Sequence, residues 1–177
     1  MTPNHVVAEV FSQFAGRGIV PTSGAREAVH IGEADLPYVY AGEGSEIQLL
    51  HVDLHQGLWI SKTRFQPGIE IARHFHTGCV FAVTLRGEWY YKEYPESVNR
   101  AGSYLFEPAG SVHTLVVPEQ DGVTEAWFAI WGANVLLDDA GSPTAIVDAQ
   151  RALDVYRAFC RAQGKAYDRL LVIGESK

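Results

Sequence analysis

Residues 68–76 read GIEIARHFH: a glycine, five residues, then His-x-His. In an extended strand, side chains alternate between faces, so His74 and His76 point one way and Phe75 the other. Pro67 and Gly68 supply the turn that starts such a strand. Two imidazoles on one face are two neighbouring corners of a metal site, and a third must come from another strand. Residues 102–113, GSYLFEPAGSVH, provide it. There Pro108 and Gly110 form a tight turn, and His113 emerges on the strand that follows. Two separate turn-then-histidine segments are hard to attribute to chance.

The surrounding texture is that of a β protein. EIQLLHVD, GLWISKTRF, EIARHFH, VFAVTLRGEWYY, SYLFEPAG, HTLVVPE and TEAWFAIWG are short runs rich in β-branched and aromatic residues. HQG, QPG, TG, YPESVNRAG, PAGSV and PEQDG separate them as turns. Regular short strands with such punctuation predict an all-β sandwich or barrel. In TAIVDAQRALDVYRAFCRAQG the apolar residues Ile146, Ala149, Leu153, Tyr156 and Phe159–Cys160 recur at spacings of three and four. That predicts an amphipathic helix stopping near Gly164, covering the open side of the barrel or making a dimer contact. DRLLVIG is a candidate last strand. The expected organisation is one domain over 1–177, with an N-terminal arm (1–45), a β-barrel core (46–140), and a helix and tail (141–177).

Composition narrows the function classes. The formal net charge is −7 and no Lys/Arg cluster is visible, which argues against nucleic acid or an anionic membrane as partner. No apolar run reaches the length of a membrane span, and the start lacks the layout of a signal peptide, so a cytoplasmic protein is expected. The two cysteines, Cys79 and Cys160, form no CxxC pair. Cys79 is close enough to His76 to consider as a ligand, but a small buried thiol is the simpler reading.

The two histidine segments resemble the two motifs that define the cupin superfamily, G(X)5HXH(X)3–4E(X)6G and G(X)5PXG(X)2H(X)3N. Gly68, His74, His76 and Gly87 fit the first; Gly102, Pro108, Gly110 and His113 fit the second. The resemblance implies a cupin-type (jelly-roll) β-barrel and a metal held by His74, His76 and His113. Two positions depart from the pattern: the motif glutamate falls at Val80 or Phe81, and the final asparagine is Val117. The implied ligand set is therefore three histidines without a carboxylate. Three neutral imidazoles leave a divalent ion its full charge and open positions, which favours a chelating anionic ligand. Iron suits such a set, as do zinc, nickel, manganese and copper, and spacing does not choose among them.

The longer run GLWISKTRFQPGIEIARHFHTGCVFAVTLRGEWYYKEYPES is similar to three-histidine cupin dioxygenases that cleave aryl α-hydroxyketones. That similarity implies Fe(II), O₂ as co-substrate, and a small aryl α-hydroxyketone split between its carbonyl and hydroxymethyl carbons. A homo-oligomer, dimer or tetramer, is expected because cupins commonly assemble so. A β-diketone dioxygenase and a non-catalytic metal-binding cupin sensor stay open as alternatives. Glu107, just before the Pro108 turn, is a candidate proton acceptor or partner of the ligands, weighed against a surface carboxylate at a strand end. Arg64 and Arg73 are expected to face outward. In HVDLH, His51, Asp53 and His55 are read as an exposed polar face rather than a second metal site. Some of the many aromatic residues should line a ligand pocket.

Overall fold

A computed structural model describes residues 27–175. Among the described residues, thirteen strands form two sheets that face each other. The seven-stranded sheet contains β1 (Val39–Gly42), β2 (Ser45–Asp53), β3 (Leu58–Phe65), β5 (Val80–Arg86), β8 (Tyr104–Glu107), β10 (Thr124–Trp131) and β13 (Leu171–Ile173). Its order is β1-β2-β3-β10-β5-β8, with β13 pairing in parallel to β2. The six-stranded sheet contains β4 (Glu70–His76), β6 (Glu88–Tyr91), β7 (Tyr94–Arg100), β9 (Val112–Val116), β11 (Ala133–Leu137) and β12 (Pro143–Asp148). Its order is β12-β11-β4-β9-β6-β7. Apart from β13, every pairing is antiparallel. This is the all-β cupin architecture that the strand pattern predicts.

Hairpin chemistry sets the register. β1 and β2 are joined by Glu43 and Gly44, whose φ angles are 49° and 73°. A two-residue loop with both φ positive matches the right-handed twist of the flanking strands. The chain changes sheets between β4 and β5, and again between β10 and β11, and both crossings meet at one corner. A Cβ on Gly132 would lie 2.4 Å from Thr77 Oγ1, and one on Gly78 would lie 2.5 Å from the Trp131 carbonyl oxygen. The Thr77 amide donates to the Ala133 carbonyl and the Ala133 amide to Thr77 Oγ1, each at 2.8 Å. Only glycines admit two backbones this close, and the corner lies next to the end of β4 that carries His76.

Two apolar clusters fill the interior. One gathers Phe65, Val80, Ala82, Trp89, Tyr91, Leu115, Val117, Ala126 and Phe128 between the sheets. The other is closed by helix α1 (Ala149–Ala162), whose Ala149, Leu153, Tyr156 and Cys160 pack on Val39, Leu49, Val52 and Trp59. The helix therefore covers one side of the barrel. Its Tyr156 hydroxyl donates to the Pro37 carbonyl at 2.8 Å, which ties it to the segment entering β1. On the outer surface Arg64 stacks 3.6 Å from the Tyr38 ring centroid, and its Nε donates to Glu125 Oε2 at 2.8 Å. That clamp presses the segment before β1 against the sheet.

Several expectations change. The helix begins at Ala149, not in the preceding TAIVD, because residues 143–148 pair with β11 as a strand. Ile146 is accordingly exposed. Asp148 caps the helix by accepting from the Arg151 amide at 2.8 Å. The separator YPESVNRAG is mostly strand β7, the edge of its sheet, where Pro95 removes no needed ladder bond. VFAVTLRGEWYY is two strands broken at Gly87. In HVDLH the polar face is not exposed throughout. Asp53 is buried, and its Oδ1 accepts from the His55 and Gln56 amides at 3.0 and 3.1 Å, holding the turn into β3. Among the described residues, no helix is long and apolar enough to cross a membrane. Residues 1–26 of the expected arm lie outside the described residues.

Because Leu153 is fully buried at the helix–barrel contact, Leu153→Ala should cost about 2–5 kcal/mol and lower the melting temperature by on the order of 10 °C. Differential scanning calorimetry measures this directly. An unchanged transition would separate the helix from the cooperative core.

Candidate metal centre

Strand alternation carries His74 and His76 to the inner face of β4, where they are 6% and 5% exposed. Arg73, between them and Ala72 in sequence, is exposed as expected. His113 lies directly opposite His74 in the antiparallel pair of β4 with β9, and it is 1% exposed. The Pro108–Gly110 turn is tied to the first histidine segment, since the Gly110 amide donates to the His76 carbonyl at 2.8 Å. One ring nitrogen from each of the three histidines falls within 4.8 Å of the others. Among the described residues, this is the only such group of histidine, cysteine or acidic side chains. Cys79 and the HVDLH residues stand outside it.

The rings are prepared for a cation. His74 Nδ1 donates to the Ala72 carbonyl at 2.7 Å, which fixes the tautomer and leaves Nε2 free. Burial lowers the pKa of His74; that backbone acceptor offsets part of the effect. Burial, followed by the neighbouring imidazoles, lowers His76 and His113 to about 3. The neutral form, which a metal requires, is thus the stable one. His113 Nε2 is buried without a hydrogen-bond partner. Its ring stacks on Tyr91 at a centroid distance of 4.0 Å, which fixes the plane.

The carboxylate absent from positions 80 and 81 arrives from another strand. Glu107 is 3% exposed, not a surface group at the end of β8. Its Oε2 lies 3.5 Å from His76 Nε2 and 3.4 Å from His113 Nε2, and no hydrogen bond satisfies it. The Tyr91 hydroxyl donates to its Oε1. Burial raises the Glu107 pKa to about 7, and the tyrosine bond pulls it partly back. Burial likewise raises Tyr91 well above the usual phenol range, so the shared proton stays on the tyrosine. Three buried neutral imidazoles facing an unsatisfied carboxylate oxygen fit a divalent cation, which would also hold Glu107 in its charged form. The ligand nitrogens suit iron, zinc and related ions alike.

A cavity of about 430 Å³ opens from this group between the sheets and under α1. Trp59, Phe65, Phe128, Ile130 and, from the helix, Phe159 make most of it apolar. Trp89 and Trp127 do not line it, and Tyr104 and Phe106 lie exposed on the outside. Tyr91 was one of the many aromatic candidates for the pocket and does line it, but its bond to Glu107 could not be read from EWYY. Sequence reasoning missed Asn134, which pairs with His76 across β11 and β4, lines the cavity, and has a buried Oδ1 without a partner.

A barrel of two facing antiparallel sheets with three inward histidines on adjacent strands is the cupin arrangement. The chain belongs to the family of ChrR cupin-like domains, whose model matches residues 26–129. A protein of unknown function with a cupin-like fold from Ralstonia eutropha JMP134 is 31% identical. The match covers 86% of this chain and 96% of that one, with a TM-score of 0.80. An RmlC-like cupin from the same organism is 27% identical over 80% of this chain and 95% of that one, at a TM-score of 0.72. An acetylacetone dioxygenase from Acinetobacter johnsonii shares the fold at a TM-score of 0.68. It is 21% identical over 81% of this chain and 99% of that one. No match was found among curated proteins.

If the three histidines hold an ion, saturating Fe(II) or Zn(II) should stabilise the chelator-treated protein by about 3 kcal/mol at a hundredfold excess over Kd. Thermal melts with and without metal should differ by several degrees, and His113→Ala should abolish the difference. A shift that persists in His113→Ala would remove that residue from the ligand set.

Proposed function

We propose that the protein is a non-haem Fe(II)-dependent dioxygenase that cleaves an aryl α-hydroxyketone, resembling 2,4′-dihydroxyacetophenone dioxygenase. With 2,4′-dihydroxyacetophenone, the reaction joins one O₂ to the substrate, breaks the carbonyl–hydroxymethyl bond, and releases 4-hydroxybenzoate and formate. The reading rests on one observation: three buried imidazoles and a buried carboxylate oxygen without a hydrogen bond converge beside a mostly apolar cavity of about 430 Å³. His74, His76 and His113 would hold the iron, which when bound supplies the redox route between substrate and O₂.

The protein's own groups have separate tasks. The apolar walls accept an aryl ring and exclude bulk water, which strengthens every charge interaction inside. Glu107 Oε2 has no protein hydrogen-bond partner and can accept a proton from the α-hydroxyketone as that ligand becomes anionic. Tyr91 holds the other oxygen of the same carboxylate and so fixes which lone pair faces the cavity. Ala72 performs the corresponding service for His74 through its carbonyl.

In an oxygen electrode, iron-loaded protein should consume one O₂ per 2,4′-dihydroxyacetophenone and none with acetylacetone, with 4-hydroxybenzoate and formate identified by chromatography. Uptake with acetylacetone alone would replace this reading by a β-diketone dioxygenase, and uptake with neither would leave a metal-binding cupin without this catalysis. Glu107→Gln should lower kcat by about 10²–10⁴-fold while retaining iron. Full activity in that variant would take the proton-accepting role from Glu107.

A further inference from the structure

The wall facing the histidines carries polar groups that the reaction above does not use. Along β3, Ser61 and Thr63 alternate inward between Trp59 and Phe65, and all four line the cavity. On β2 the cavity-lining residues are Ser45, Ile47 and Leu49. In the antiparallel pair Ser45 lies opposite Phe65 and Ile47 opposite Thr63, so Ser45 and Thr63 are diagonal neighbours on one face. Ser45 is 7% exposed, and its Oγ is buried without any hydrogen-bond partner. A hydroxyl that faces a mostly apolar cavity with no protein partner offers a free hydrogen-bonding site to a ligand that supplies one.

We propose that Ser45, with Thr63 beside it, is the specificity site for a hydroxyl at the far end of an aryl ligand whose ketone end faces His74, His76 and His113. This deepens the dioxygenase reading and rests on it for the orientation of the ligand. The histidines belong to the six-stranded sheet and Ser45 to the seven-stranded one. Facing sheets stand about 10 Å apart, so a ligand spanning the cavity presents its two ends to opposite walls. A phenol O–H donates to Ser45 Oγ, while the ring fills the apolar space between the sheets, lined by Ile47 and Phe128 on one side and Ile71 and Leu115 on the other. A short aliphatic β-diketone has no group to reach that wall. The same cavity thereby distinguishes para-hydroxylated aryl ketones from both unsubstituted aryl ketones and small diketones.

Binding tests this without turnover. Isothermal titration of the iron-loaded protein with 4-hydroxyacetophenone and with acetophenone should show the hydroxylated compound bound about tenfold more tightly. Ser45→Ala should erase that difference, with calorimetry confirming that the variant keeps its melting transition. Equal affinity of the two compounds for the wild type, binding of neither, or a preference that survives in Ser45→Ala would overturn the assignment. If the preference is present and depends on Ser45 but 2,4′-dihydroxyacetophenone elicits no O₂ uptake, the site stands as an aryl-ligand site and the reaction falls instead.

Discussion

Removing three imidazoles and a carboxylate from water and aiming them at one point is unfavourable for the empty protein. Desolvation depresses the histidines and raises Glu107 at the same time, so each group is pushed toward its neutral form. A divalent cation reverses that balance by giving every lone pair a partner. The rest of the fold serves the arrangement. β4 and β9 set the spacing of the rings, β8 brings the carboxylate, β6 brings the tyrosine that steadies it, and α1 closes the space in front.

Much of this was legible in the sequence, for a physical reason. A strand pair with its turns is a local object, and spacing in the chain converts directly into spacing along a face. His74 and His76 were two residues apart on one strand, and each histidine segment began with its own turn, so the trio could be read from positions alone. The strand runs and the closing helix were readable for the same reason. The C-terminal strand β13 was too, although its parallel partner β2 was not.

What escaped was non-local. Glu107 was a candidate partner of the ligands, but its burial and its bond from Tyr91, sixteen residues away and in the other sheet, could not be read from its place at a strand end. Asn134 and Ser45 are ordinary polar residues until pairing with His76 and Phe65 shows which side they face. Ile146 matched a helical period by coincidence, because β12 and α1 run on without a break at Asp148. That aspartate was itself a readable cap signal, and its side chain marks where one period gives way to the other. β7 was hidden by a proline that an outer strand tolerates and an inner one does not.

The corner at Gly78 and Gly132 has a bearing on the molecule's possible motions. Two of the chain's passages from one sheet to the other, β4 to β5 and β10 to β11, meet there, with the Thr77 hydroxyl packed into the joint. Sliding the two layers past one another would strain this joint, where the glycines leave no room for a Cβ. His76 lies two residues from it on one side, and Asn134 two residues from it on the other. The tightly packed corner and the chemical groups are therefore the same neighbourhood. Gly42 and Glu43 of the first hairpin and Val155 and Phe159 of the helix line the same cavity, so a ligand's fit also depends on how the helix seats on β1.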